Sequence, residues 1–488
     1  MKYIYNRLKG GVLVLISLCF FLPNITLVGQ KDLVISGGNN VSSLVCANRK
    51  VYTWGNNSGT ASGTTVTGLL GTGNTTASNL SVPTEVVGFP ANLEIEQVNS
   101  GSGSHFIAVD CNGDVWSWGN NQNGQVGNNT SATIVILPER VVSGVLNGDA
   151  TFDNGSGFLT SVETVFAGNS NSFAILSDGR LVAWGGNGPG TNPQANGQLG
   201  NGTQVSTSSP VFVESGDSRF GQTANQPLQG VIEVYAGDEV SLALVDIDGD
   251  GIGTVYSWGS GGTGNKLGRN ATGTANPNNG TAVTSSRAYP VIGQDGNPLT
   301  NIVQISAGDV TSFALDVDGY VWAWGNDWGG SDGDGYQGNA GGPGNGSLWG
   351  GSMPRRVAAG EATGAGSDGK YLLARQIGAG QANGMAVTLD NKPVAWGAGG
   401  CSACLGNGTT GSSDAPVYII NSITNLVDDN VSLINKGDKW GFYATTDNKF
   451  FAWGENGSGQ LGVNNTTNQT SAVPLTPPTG CGFQDPQP

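Results

Sequence analysis

Apolar positions in this chain fall in short paired runs, with no sustained helical period. Phe173–Leu176 is apolar throughout, a four-residue polar turn follows, and Leu181–Trp184 is apolar again. Phe313–Leu315 and Val321–Trp324 repeat the arrangement. Runs apolar on both strand faces, not alternating, predict short strands buried on both sides of their sheet. The turns between them are Asp178-Gly179, Asp318-Gly319, Asp390-Asn391 and Asp447-Asn448. Such pairs tolerate the positive φ of tight hairpins.

The unit recurs. A Trp-Gly pair closes a hairpin at Trp54, Trp118, Trp184, Trp258, Trp324, Trp396 and Trp453. Sixteen residues before five of these tryptophans stands a glycine: Gly38, Gly168, Gly308, Gly380 and Gly437. That position predicts close backbone approach near a crowded axis. After the Trp-Gly come glycine-rich loops with a Gly-Gln-Leu-Gly-like element, as in Gly124–Gly127, where valine replaces leucine, Gly197–Gly200 and Gly459–Gly462. A proline then opens a last β-branched run, at Pro83, Pro138, Pro210, Pro290 and Pro416. Four strands per unit and seven units predict an all-β chain: a seven-bladed β-propeller of four-stranded antiparallel blades over residues 31–476. Closing the ring also limits exposed sheet edges.

These motifs resemble the repeat of the regulator of chromosome condensation, a family of seven-bladed propellers. The resemblance covers nearly the whole chain after residue 30 and implies the fold directly. It implies function only loosely, because the family's members include nucleotide exchange factors for a small GTPase, chromatin binders, ubiquitin-ligase accessories and secreted bacterial inhibitors of β-lactamases. A secreted, bacterial-type member is the expectation here.

Residues 1–30 support that expectation. Lys2, Arg7 and Lys9 precede or abut the apolar stretch Gly11–Leu22, which is too short to span a bilayer and has the layout of a secretory signal peptide. The whole chain carries 20 Lys+Arg against 36 Asp+Glu, a net charge of −16. Removing residues 1–30 takes away three cations and no acid, leaving 17 against 36 and a net of −19. So acidic a surface repels phosphate backbones, which argues against a nucleic-acid partner. No other segment approaches transmembrane length. The expected location is therefore the cell surface or the medium.

Cysteines fit an oxidising compartment. Cys401 and Cys404 lie in the loop after the sixth Trp-Gly and predict a local disulfide; a zinc site is disfavoured because the chain has a single histidine, His105. Cys46 and Cys111 occupy near-equivalent places in units one and two and suggest an inter-blade bridge. That scheme leaves Cys481 unpaired.

The sharpest chemical motif interrupts the fourth hairpin. Asp246, Asp248 and Asp250, followed by Gly251, match the first half of a calcium-binding loop, with alternating carboxylates around a forced turn. The twelfth position is Ser257, not a bidentate glutamate, so a structural Ca²⁺ loop and a merely solvated acidic hairpin both remain open. A second cluster around Asp332 and Asp334 reads as loop. Catalysis has little support: His105 reads as a core or axis-lining residue, and no phosphate loop is present. The fifth unit's long insertion places Trp328, Tyr336 and Trp349 among glycines and acids, suited to a glycan or a protein partner, or to tucking against the blade edge. Residues 477–488 read as a proline-rich tail or linker to a further domain. The expected function is a non-enzymatic module binding an extracellular protein or glycan through loops on one ring face. An extracellular polysaccharide hydrolase or lyase is one alternative. An exchange regulator is another, disfavoured by the signal peptide and the acidic charge.

Overall fold

The computed structural model describes residues 35–481 except 62–63, 131, 189–196, 238, 262–265, 270–283, 310, 326–331, 334–352, 398–402, 477 and 479–480. Seven four-stranded antiparallel sheets follow one another along the chain, each hydrogen-bonded in sequence order. Blade one comprises Ile35–Gly37, Val41–Val45, Val51–Asn56 and Asn79–Glu85. Blade seven comprises Val431–Lys436, Trp440–Thr445, Phe450–Gly454 and Gln469–Pro474. Among the described residues no blade borrows a strand from another part of the chain. Residues from the first strand of every blade line one central cavity, so the first strand is innermost. An unforeseen two-stranded hairpin, Ser58–Ala61 with Thr64–Thr67, rides on the third-to-fourth loop of blade one.

The core is not one cluster but seven. Each is built from two adjacent blades, and the cluster joining Leu44, Trp54, Trp440 and Phe442 closes the ring. That is why the second strands are buried end to end, as in Asn171–Leu176 and Thr311–Asp316. The seven Trp-Gly tryptophans are 0% exposed. Each fills a wedge between blades, where a large rigid side chain removes most apolar area from water.

Indole and loop motifs lock together. Trp184 and Trp258 donate Nε1–H to the carbonyls of Gln125 and Gln198, the glutamines of the preceding blades' Gly-Gln-Leu-Gly elements, at 3.0 and 2.7 Å. Trp54 does the same to Gln460 O at 2.8 Å, so blade one is fastened to blade seven by the same bond. The loop's last residue must be glycine. Gly200 sits at φ +66°, and a Cβ there would lie 2.9 Å from Trp258 Nε1. In blade five Gly333 takes this place against Trp396, and Asp332 beside it is buried. Asp332 and Gly333 are therefore a loop that packs into the frame; Asp334 lies outside the described residues.

A second lock joins the innermost strands. Gln304 accepts a hydrogen bond from Ile377 N at 2.9 Å and donates Nε2–H to Ile377 O at 3.2 Å, one blade on. Gln97 binds Val165 in the same two-point way. In blade four the position is Glu233, whose Oε2 accepts from Ile305 N at 2.8 Å while the buried Oε1 finds no partner. Complete burial pushes its carboxyl up to about 8. A protonated carboxyl offers the acceptor and donor that glutamine offers elsewhere.

The glycine before the first hairpin does make a close approach. A Cβ on Gly308 would overlap Gly380 O, and one on Gly38 would overlap Gly101 O. Gly101 and Gly237, hidden in the sequence by altered turn lengths, belong to the same ring of glycines. Prolines differ from expectation. Pro138 and Pro210 lie within the outer strands Ile134–Arg140 and Thr207–Phe212, not at their starts. The ladder shifts register near them, so a missing N–H costs nothing there.

Candidate functional site

Antiparallel strands give each blade two ends. First-to-second turns and the long third-to-fourth loops lie at one end, the loop face. Second-to-third hairpins and blade-to-blade connections lie at the other, the hairpin face. The acidic motif of blade four sits between Val240–Val245 and Thr254–Ser260, on the hairpin face. Strand Val321–Gly325 ends at the loop face, from which the aromatic insertion departs. The two departures from the repeat therefore start from opposite faces. Trp328, Tyr336 and Trp349 themselves lie outside the described residues.

At the enlarged hairpin the structure brings the three carboxylates together. Asp246, Asp248 and Asp250 each offer an oxygen within 4.8 Å of the others. Asp246 is buried and anchors the turn, its two oxygens accepting Gly249 N at 2.8 Å and Gly251 N at 2.7 Å. Asp248 and Asp250 are exposed. A side-chain hydrogen bond with Asp246 and repulsion from Asp250 hold the Asp248 carboxyl above its ordinary range. A cation would relieve that repulsion, and Ca²⁺ takes oxygen ligands at about 2.3–2.6 Å, compatible with this spread. Backbone carbonyls would have to complete the set, since Ser257 lies in the following strand, fully buried, with its Oγ donating to Leu267 O.

The cysteines correct the sequence reading. Cys46 is bonded to Cys481, with Cα atoms 4.8 Å apart. It does not pair with Cys111, because ring closure brings blade one against the end of the chain. Cys481, expected unpaired in the tail, is buried beside Leu475 in the cluster that joins blades seven and one. Cys404 is disulfide-bonded; Cys401, its expected partner, lies outside the described residues. His105 is a core residue between blades two and three, with Nε2 2.9 Å from Ser172 Oγ. Burial lowers its imidazole to about 4, so it stays neutral in ordinary buffers.

The axial cavity is lined by small and polar groups, among them Ser36, Asn99, Tyr235, Asn435 and Asp438. Ser102 at its mouth donates to Asp438 Oδ1 at 2.7 Å, tying blade two to blade seven. Among the described residues no helix is long and apolar enough to cross a membrane.

Fold and frame define a seven-bladed repeat propeller with two loop-bearing faces. Its repeat matches the Regulator of chromosome condensation (RCC1) repeat at residues 95–125, 162–190 and 302–329, and again at 112–175. The chain is an RCC1-like repeat propeller. It is 27% identical over 399 residues to the E3 ubiquitin-protein ligase HERC2 of Mus musculus, covering 81% of this chain and 6% of that protein. It is 27% identical over 308 residues to the probable E3 ubiquitin-protein ligase HERC6 of Homo sapiens, covering 61% of this chain and 24% of that one. This chain thus spans only a small part of these relatives. Among solved structures, yeast RCC1 (Prp20) bound to Kap60 aligns with a TM-score of 0.61 at 16% identity, covering 98% of this chain and 92% of that one. Human WBSCR16 aligns with a TM-score of 0.58 at 19% identity, covering 83% and 86%. At these identities the likeness is one of fold.

Proposed function

We propose that this ring is a non-enzymatic interaction module of the cell exterior, binding a protein or glycan partner through segments that break its repeat. The observation that carries the reading is the division of labour along the chain. Repeated tryptophans, glutamines and glycines are consumed in holding blade to blade, while the acidic hairpin is added at one face and leaves the frame unchanged. His105 and Glu233 are likewise buried in blade packing and not gathered at an open cleft. Export is supported by residues 1–30 and by the Cys46–Cys481 bond, which persists in an oxidising compartment.

The test is capture from envelope and culture-medium fractions with the ring as bait, alongside turnover assays on polysaccharides and on GTPase-bound nucleotide. One saturable partner with no turnover is the expected result. Turnover of a polysaccharide, or faster nucleotide release, would replace this reading.

We also propose that Asp246, Asp248 and Asp250 hold a structural Ca²⁺. Calcium should raise the melting temperature of the wild type by several degrees and leave Asp248→Ala unmoved. Equal melting curves in calcium and in EDTA would reduce the motif to a solvated hairpin.

A further inference from the structure

Beside the acidic hairpin the ring exposes an arc of aliphatic side chains that packing does not require. Val317 and Leu389 directly follow the second strands of blades five and six and are 47% and 43% exposed. The same position is Ser177 in blade three and Thr446 in blade seven, so the frame tolerates a small polar residue there. In blade four Ile247, within the enlarged hairpin, is 51% exposed.

Val317 and Leu389 stand on adjacent blades, with Ile247 on the same face one blade earlier. A Cβ on Gly319, two residues after Val317, would lie 3.6 Å from Leu389 Cδ1. A Cβ on Gly221 would lie 3.2 Å from Ile247 Cγ2, and the exposed Phe220 adjoins it. Gly253 N donates to Ile302 O at 2.8 Å, which sets the hairpin of blade four against the inner strand of blade five. Exposed acids share this face: Asp318 and Asp295, besides Asp248 and Asp250 of the acidic hairpin. Cations close by are already engaged. Arg219 pairs with Asp217 at 2.6 Å, Lys392 pairs with Asp390 at 2.8 Å, and the Arg375 guanidinium binds Asn391 and backbone carbonyls.

We infer that the hairpin face of blades four to six docks a basic amphipathic segment of a partner protein, its apolar side on Ile247, Val317 and Leu389 and its cations on Asp295 and Asp318, outside the calcium hairpin. Charge complementarity selects this occupant, because an anionic or purely apolar segment would leave the acids unpaired or repelled. This inference rests on the interaction-module reading and assigns it a face and a partner chemistry.

The probe is a labelled amphipathic Leu–Lys peptide, followed by anisotropy against the full chain in calcium, with Leu–Glu and Ser–Lys peptides as comparators. The full chain should bind Leu–Lys above both. The triple variant Ile247→Ser, Val317→Ser, Leu389→Ser should lose about tenfold or more in affinity with an unchanged melting temperature. Val205→Ser, which removes an aliphatic 72% exposed on a loop of blade three, should change nothing. Equal binding by the triple variant, or equal binding of Ser–Lys, overturns the inference, as does self-association or binding to phosphatidylcholine vesicles in place of the peptide. If the partner captured from native fractions is held equally by the triple variant, the module reading survives and this face assignment fails.

Discussion

At the scale of single residues, the repeat is most informative where one blade departs from it. Glu233 stands where blades two, five and six carry Gln97, Gln304 and Gln376, and burial raises its carboxyl to about 8 from 4.5. The sign follows from linkage. Below pH 4.5 both folded and unfolded chains are protonated, and the full stability is present. Between pH 4.5 and about 8 the unfolded chain releases its proton and the folded chain keeps it. Stability therefore falls by about 1.4 kcal/mol per pH unit at most across that window. Glu233→Gln should remove this slope and raise the melting temperature at pH 7.5, read from thermal melts between pH 4.5 and 9. A lower melting temperature for the variant would show that Glu233 is ionised and paired. His105 works at the other end: with its imidazole lowered to about 4, stability declines as pH falls from 6.5. The unusual chemistry of Glu233 was not visible in the sequence, where one glutamate in an innermost strand looks like any other. Only its burial against Ile305 gives it a distinct role.

At the scale of elements, the indole and the glycine loop act as one device spanning two blades. Gly200→Ala should cost about 3 kcal/mol or more, because a left-handed backbone and the Trp258 ring both oppose a methyl group. Gly157→Ala is the matched comparison, with φ +78° and nothing within 4 Å of its Cβ. It should cost only about 1–2 kcal/mol. Equal losses in urea denaturation would mean that backbone strain alone explains the motif. Both partners of this device were legible in the sequence, as Trp-Gly and as Gly-Gln-Leu-Gly. Their contact was not, because Gln198 and Trp258 are sixty residues apart in the chain and the bond uses a main-chain carbonyl. At Leu69-Leu70 before Trp118 and at Asp332 before Trp396 the indole nitrogen finds no partner, whereas the Lys266 and Cys404 carbonyls accept from Trp324 and Trp453 without the motif's glutamine.

At the scale of the whole molecule, ring closure is the step that contiguous blades leave to side chains. Blades seven and one meet through Trp54 and Ser42 on the Gln460 carbonyl, Trp440 on Gly38 O, and the Cys46–Cys481 bond. The bond joins positions 435 residues apart, so it constrains the unfolded chain strongly. Its removal by Cys46→Ser with Cys481→Ser should cost roughly 4–5 kcal/mol. Hydrogen exchange should then rise first in blades one and seven. Uniform exchange around the ring would show that packing alone closes it. The expectation of a Cys46–Cys111 bridge failed at this scale, since near-equivalent places in adjacent blades do not make two cysteines neighbours when the ring brings another closer.

The sequence by itself determined the strand content, the number of blades and the register of each unit. Those properties follow from local turn chemistry and from apolar runs repeated in order along the chain. Tertiary structure alone decided which blade faces which, how the ring is fastened, that Glu233 and His105 are buried, and that Ile247, Val317 and Leu389 lie exposed on one face of three consecutive blades. These are relations between residues distant in the chain, set by where closure places them. A repeating pattern states what each unit is; only the closed ring states what its irregular residues touch.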